Sequence, residues 1–124
     1  MKITSKLWSI TFLCLAMLSC SASQKSTSNT NGDHVDFIAT FFSKGAGIDR
    51  RVYAKFKAFL TDSYPTLGYS ETTYGREGET SFCFDLSTLK KKEKEGFSQE
   101  AKLILSKSET VKIQENSTCK HLNK

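Results

Sequence analysis

Histidine is nearly absent from this 124-residue chain. His34 and His121 stand far apart, with no cysteine or aspartate at ligand spacing, so no metal centre is expected. The four cysteines include no Cys-x-x-Cys pair, which argues against thiol redox chemistry, and nothing in the sequence asks for a cofactor. No serine sits in a strand-to-helix elbow motif and no Cys/His arrangement suits acyl transfer. The longest apolar run, Leu7 to Leu18, is shorter than the about 20 residues a helix needs to span a bilayer. Excess charge of one sign is also lacking. Eighteen Lys and Arg are interspersed with 13 Asp and Glu, not the positive stripe that a nucleic-acid partner would require.

What is present begins with an export address. Lys2 and Lys6 precede the apolar run, and Ser19 closes it before Cys20. The stretch "MLSC" (Met17 to Cys20) resembles the lipobox of bacterial lipoproteins, whose signal peptidase cleaves before a cysteine that carries diacylglycerol. The resemblance covers only about the first 20 residues. It implies that residues 1–19 are a signal peptide and that Cys20 is acylated, making membrane lipid a partner. Each buried methylene would contribute about 0.8 kcal/mol to retention. Ser21 stands where enterobacterial lipoproteins carry aspartate for inner-membrane retention, so the family rule points to the outer membrane, facing the periplasm or the cell surface. Loss of residues 1–19 removes Lys2 and Lys6 and leaves 105 residues with a formal charge of +3, against +5 for the whole chain. That length suits one small domain.

With Cys14 lost in the signal peptide and Cys20 acylated, Cys83 and Cys119 remain. In an oxidising compartment two leftover cysteines favour a structural disulfide. A bridge across 36 positions would contribute about 3–4 kcal/mol by constraining the unfolded chain.

Residues 20–33 comprise the acylated cysteine and a polar tether, "SASQKSTSNTNGD", with too little apolar surface to order itself. A single domain follows over residues 34–124. "HVDFIATFF" (34–42) predicts a strand with Val35, Phe37, Ala39 and Phe41 on one face and Ile38 and Phe42 on the other, apolar on both sides and therefore central. Ile48, Val52, Phe56, Phe59 and Leu60 then recur at helical spacing, with Asp49 as N-cap and Pro65 as terminator. Residues 66–75 predict a polar edge strand. Residues 79–86 predict a second strand with Phe82, Phe84 and Leu86 opposite Ser81, Cys83 and Asp85. The glycine-flanked Arg76 and Glu77 between them suit a hairpin turn. A helix capped by Ser87 carries Leu89, Phe97, Ala101, Ile104 and Leu105 in one stripe, and residues 110–115 form a last short strand with Val111 and Ile113 facing in.

This order of strand, helix, strand, strand, helix, strand matches the α+β, ferredoxin-like split βαβ plan: a four-stranded antiparallel sheet in order 4-1-3-2 with both helices on one face. Cys83 then points to the open face beside Ile38 or Phe42. A tail tied back by Cys119 would cross that face and leave an apolar patch. A protein or other envelope component, or a second copy of this chain forming a homodimer, could cover it. Ile38 and Phe42 on the face and Arg76 and Glu77 at the hairpin tip are the candidate partner-binding residues.

A second candidate is "SKGAGIDRR" (43–51), a glycine turn entering a helix N-terminus, where Lys44, Gly45, Gly47 and Arg50 could meet a phosphate or carboxylate. The stretch is similar to the phosphate loop of acylphosphatases, which share this fold and bind phosphate through an arginine. The catalytic asparagine of that family has no counterpart here. The function expected is therefore a membrane-anchored, non-enzymatic binding module, and the alternative is an anion-binding domain or acylphosphatase-like hydrolase using Gly45 to Arg51.

Overall fold

The computed structural model describes residues 34–120. The expected signal peptide, Cys20 and tether lie outside the described residues. The elements are β1 (His34–Phe41), α1 (Arg50–Ser63), β2 (Tyr69–Tyr74), β3 (Glu79–Phe84), α2 (Lys91–Leu105) and β4 (Val111–Thr118). All pairings are antiparallel and the sheet order is β2-β3-β1-β4, as the α+β, ferredoxin-like plan requires.

The core forms on one side of the sheet because the apolar positions of both helices and of the two central strands converge there. Phe37, Ala39 and Phe41 from β1 and Phe82 and Phe84 from β3 meet Val52, Phe56, Phe59 and Leu60 from α1 and Phe97, Ala101 and Leu105 from α2. Many of the rings meet edge to face, as their quadrupoles prefer: Phe37 and Phe97 lie 5.5 Å apart at 85°, and Phe56 and Phe82 lie 5.4 Å apart at 87°. Such pairs contribute about 0.5–1.5 kcal/mol beyond the area they bury.

Asp49 caps α1 as expected, its carboxylate accepting from the N–H groups of Arg51 (3.1 Å) and Val52 (3.0 Å). The helix ends at Ser63, where Tyr64 N–H donates to Leu60 O, and Pro65 follows. The second helix begins later than its sequence implies. Leu86 and Leu89 are both drawn to the core by a turn in which Leu89 N–H donates to Leu86 O, and Ser87 N–H is taken by the Asp85 carboxylate. Ser87 is therefore not the cap. Lys90 occupies that position, and its N–H donates to the Glu93 carboxylate at 2.8 Å. A lysine ammonium has no lone pair to return the bond, so only the Glu93 half of a capping box is made.

The strands depart from simple alternation at one place. Val35 does not join Phe37, Ala39 and Phe41; it packs with Ile38, Cys83 and Cys119 on the opposite face. Asp36 instead turns toward α2, accepting from Leu86 N–H at 2.7 Å and pairing with Lys94 at 3.7 Å. In β4 the facing residue, between the Val35–Ser117 and Phe37–Glu115 pairs, is Asn116, whose φ of 47° is left-handed. A non-glycine residue tolerates that conformation best when it is asparagine. The ladder keeps its register across this point, so both strands exchange faces together. β4 also runs to Thr118 rather than stopping at residue 115.

Asn116→Gly is expected to leave stability within a few tenths of a kcal/mol, whereas Asn116→Val should cost about 1–2 kcal/mol through the left-handed backbone alone. Urea denaturation of the disulfide-intact proteins checks this, and equal midpoints for the two variants would refute the account.

Candidate functional site

Both helices cover the same side of the sheet, so the other side is built from alternate residues of all four strands. Two cross-strand rows run over it: Thr72, Ser81, Thr40 and Lys112 in one, and Ser70, Cys83, Ile38 and Gln114 in the next. Cys83 and Cys119 are paired at disulfide distance, with Cα atoms 6.2 Å apart. β1 lies between β3 and β4, and two strand spacings amount to about 9.5 Å. Cys119 has therefore left the line of β4 and crossed over β1 toward β3.

That crossing decides the character of the face. Ile38 and Cys83, expected to contribute to an apolar patch, are each only 4% exposed beneath the bridge. Hydroxyls, an amide and lysines dominate the rest. Thr40 and Ser81 hydroxyls lie 3.2 Å apart, and Ser81 Oγ donates toward the Tyr74 hydroxyl at 3.4 Å. A shallow cleft of about 230 Å³ opens there, with Ile38 and the disulfide at its base and Thr40, Lys112, Gln114 and Lys120 around it. Phe42 does not line it; it follows the end of β1, half-buried, with its N–H donating to Thr110 O at 2.9 Å.

The hairpin tip and the glycine loop, two separate candidates in the sequence, are joined in space. Gly75 and Gly78 take φ values of 73° and 80° on either side of exposed Arg76 and Glu77, the conformation for which glycine is the default residue. The Ser43 hydroxyl donates to the Glu77 carboxylate and accepts from Gly45 N–H (2.9 Å) and Gly47 N–H (3.0 Å). Lys44 pairs with Glu109 at 3.5 Å, Arg50 is exposed as the first residue of α1, and the Asp49 carboxylate sits on the helix N–H groups. An anion entering Gly45 to Arg51 would have to displace Ser43 from both glycines beside the Glu77 carboxylate. The loop is chemically occupied by its own side chains.

One polar cluster escaped the sequence reading. Tyr53 donates to Glu71, and Lys57 donates to Glu71 at 2.7 Å and to the Tyr69 hydroxyl at 3.1 Å while lying 5.4 Å from the Tyr69 ring centroid. Burial and then the Glu71 hydrogen bond push the Tyr53 hydroxyl up to about 12. Burial pulls the Lys57 ammonium down, but the Glu71 and Tyr69 bonds outweigh it and raise its pKa. Both groups keep their protons at neutral pH, so the cluster fastens edge strand β2 to α1 rather than transferring protons. The signal was there: Tyr53 and Lys57 stand one helical turn apart, and Tyr69 and Glu71 share a strand face.

A second cleft, about 320 Å³, lies where the strands exchange faces, between α2 and Asp36, Glu115 and Asn116. Its charges are largely paired internally, Lys94 with Asp36 and Lys102 with Glu115 at 2.7 Å. Among the described residues no group of three or more His, Cys, Asp or Glu could hold a metal ion, and no helix is long and apolar enough to cross a membrane. No family model, curated protein or solved structure matches the chain.

The pKa of Asp49 lies below the ordinary carboxylate range, chiefly because Val52 N–H donates to its ionised form, with Ser108 and Arg51 assisting against burial. The Ser87 hydroxyl and N–H lower that of Asp85 in the same way. A depressed folded pKa contributes stability that is complete above the unfolded value, near 3.8 for these groups, and is lost as pH falls through the folded one. Thermal melts should therefore drop from about pH 4 downward, and Asp49→Asn, which keeps a capping oxygen without a titrating group, should show a shallower drop. Asp49→Ala is expected to cost about 0.5–2 kcal/mol at neutral pH through the lost cap; identical acid limbs for wild type and Asp49→Asn would remove Asp49 from the account.

Proposed function

We propose that the protein is an outer-membrane lipoprotein whose domain is a non-enzymatic binding module, engaging a component of the cell envelope through its open sheet face. The observation that carries this reading is the polar open face, where Thr72, Thr40, Lys112 and Gln114 stand partly or fully exposed beside buried Ser81, on a sheet whose apolar contacts are satisfied by helices on one side and by the Cys83–Cys119 bridge on the other. A rigid, solvated shelf of this kind needs no catalytic group to be useful. The "MLSC" segment supports the anchor: acylated Cys20 would hold the domain at the membrane while residues 21–33 give it reach.

Two measurements test the reading. Cys20→Ser should move the protein from the membrane to the soluble fraction, and a protein that stays in the membrane after that change would remove lipidation as the anchor. A photo-crosslinking side chain placed at Gln114, on the open face, should capture envelope material in intact cells, whereas the same group at Leu103, an exposed residue of α2, should not. Indistinguishable products from the two positions would overturn the assignment of the binding face.

A further inference from the structure

Resting on the binding-module reading, we propose that the open-face cleft takes an acidic sugar residue of an envelope glycan. Three observations on this face point to that chemistry. Its base, Ile38 and the Cys83–Cys119 bridge, is only 3–4% exposed and offers almost no apolar surface, which suits a hydrophilic ligand rather than an apolar one. Around it stand accessible groups that exchange hydrogen bonds with hydroxyls, Thr40, Gln114 and Thr118, with Ser81 buried beneath them. Its charged lining residues are Lys112 and Lys120, both exposed and both cationic, and among the described residues no carboxylate lines the cleft.

Charge complementarity therefore selects an anionic ligand, and the hydroxyl and amide lining selects one that is itself rich in hydroxyls. A volume of about 230 Å³ lies below the range of about 300–1,000 Å³ that encloses a free small molecule, so the cleft seats one unit of a longer chain lying across the sheet. A protein partner fits less well. Interfaces between proteins draw their affinity from buried aromatic and apolar anchors, and here Ile38 and the bridge are almost fully covered already. The other cleft, beside α2, offers no such selection because its lysines face Asp36 and Glu115. In the Gly45 to Arg51 loop the N–H groups of Gly45 and Gly47 are held by Ser43.

The test is an NMR titration of the disulfide-intact domain with trigalacturonate, and with maltotriose as the neutral counterpart. Amide shifts are expected at Thr40, Ser81, Lys112 and Gln114 with trigalacturonate, with affinity falling as salt rises. Maltotriose should bind at least about fivefold more weakly, and Lys112→Ala and Lys120→Ala should each weaken trigalacturonate about fivefold, the scale of one exposed ion pair. Both lysines are exposed, so an unchanged melting temperature separates this loss from unfolding. Equal binding of the two trisaccharides, shifts confined to other surfaces, or affinity unmoved by both lysine substitutions would overturn the inference. Crosslinking at Gln114 without any response to trigalacturonate would overturn this inference alone. Absence of face-specific crosslinking would instead remove the reading beneath it.

Discussion

Seven phenylalanines packed between one face of the sheet and two helices hold this domain together: Phe37, Phe41, Phe56, Phe59, Phe82, Phe84 and Phe97. A chain this short cannot build two such cores. Placing these seven rings on one side leaves the other side with little to bury, and a bare sheet face carrying Val35, Ile38 and Cys83 would invite association with any apolar surface. The remainder of the architecture addresses that imbalance. Alternate positions on the open face become threonine, serine, lysine and glutamine, while the few apolar groups there are covered by a single crossing of the chain.

That crossing and the exchange of faces at Asp36 and Asn116 belong together. If alternation had continued unbroken, Val35 would have pointed into a helix layer already filled by aromatic rings, and Asp36 would have sat on the open face away from Lys94 and Leu86 N–H. With the reversal, Asp36 satisfies both, and Val35 supports the bridge from Cys119 to Cys83. A covalent link of this kind contributes about 3–4 kcal/mol by restricting the unfolded chain, comparable with much of a small domain's net stability. It also keeps the cleft base in one arrangement, which would lower the ordering cost for any ligand seated there.

The fold was legible because its signals are periodic. Ile48 to Leu60 recur at helical spacing, Phe82, Phe84 and Leu86 at strand spacing, and the doubly apolar first strand announced a central position. The helix start at Lys91 was less legible: Ser87 is a better intrinsic cap than Lys90, but burial of Leu86 and Leu89 overrode the local preference. The face exchange was hidden for a related reason. "VDF" reads as ordinary alternation, and only the partner strand, with asparagine at a left-handed position, shows that Val35 and Phe37 part company. Pairings between distant residues, such as Ser43 with Glu77, depend on how elements dock and leave no short-range trace, while the spacing of Tyr53 with Lys57 and of Tyr69 with Glu71 fixes their faces but not that the two faces meet. The Cys83–Cys119 pair was the exception, since setting aside Cys14 and Cys20 on the export reading left only these two cysteines to pair.

The position of β1 has a mechanical meaning. This first strand of the domain lies between β3 and β4, hydrogen-bonded on both sides over most of its length, and the crossing at Cys119 lies above its N-terminal half. A pull applied through the chain preceding His34 would load both ladders lengthwise, so many hydrogen bonds would have to fail together rather than unzip one at a time. An edge strand in the same place would peel. The covalent staple between β3 and the end of β4 further prevents the flanking strands from parting, so tension arriving at His34 would be borne by the whole sheet before any one strand came away.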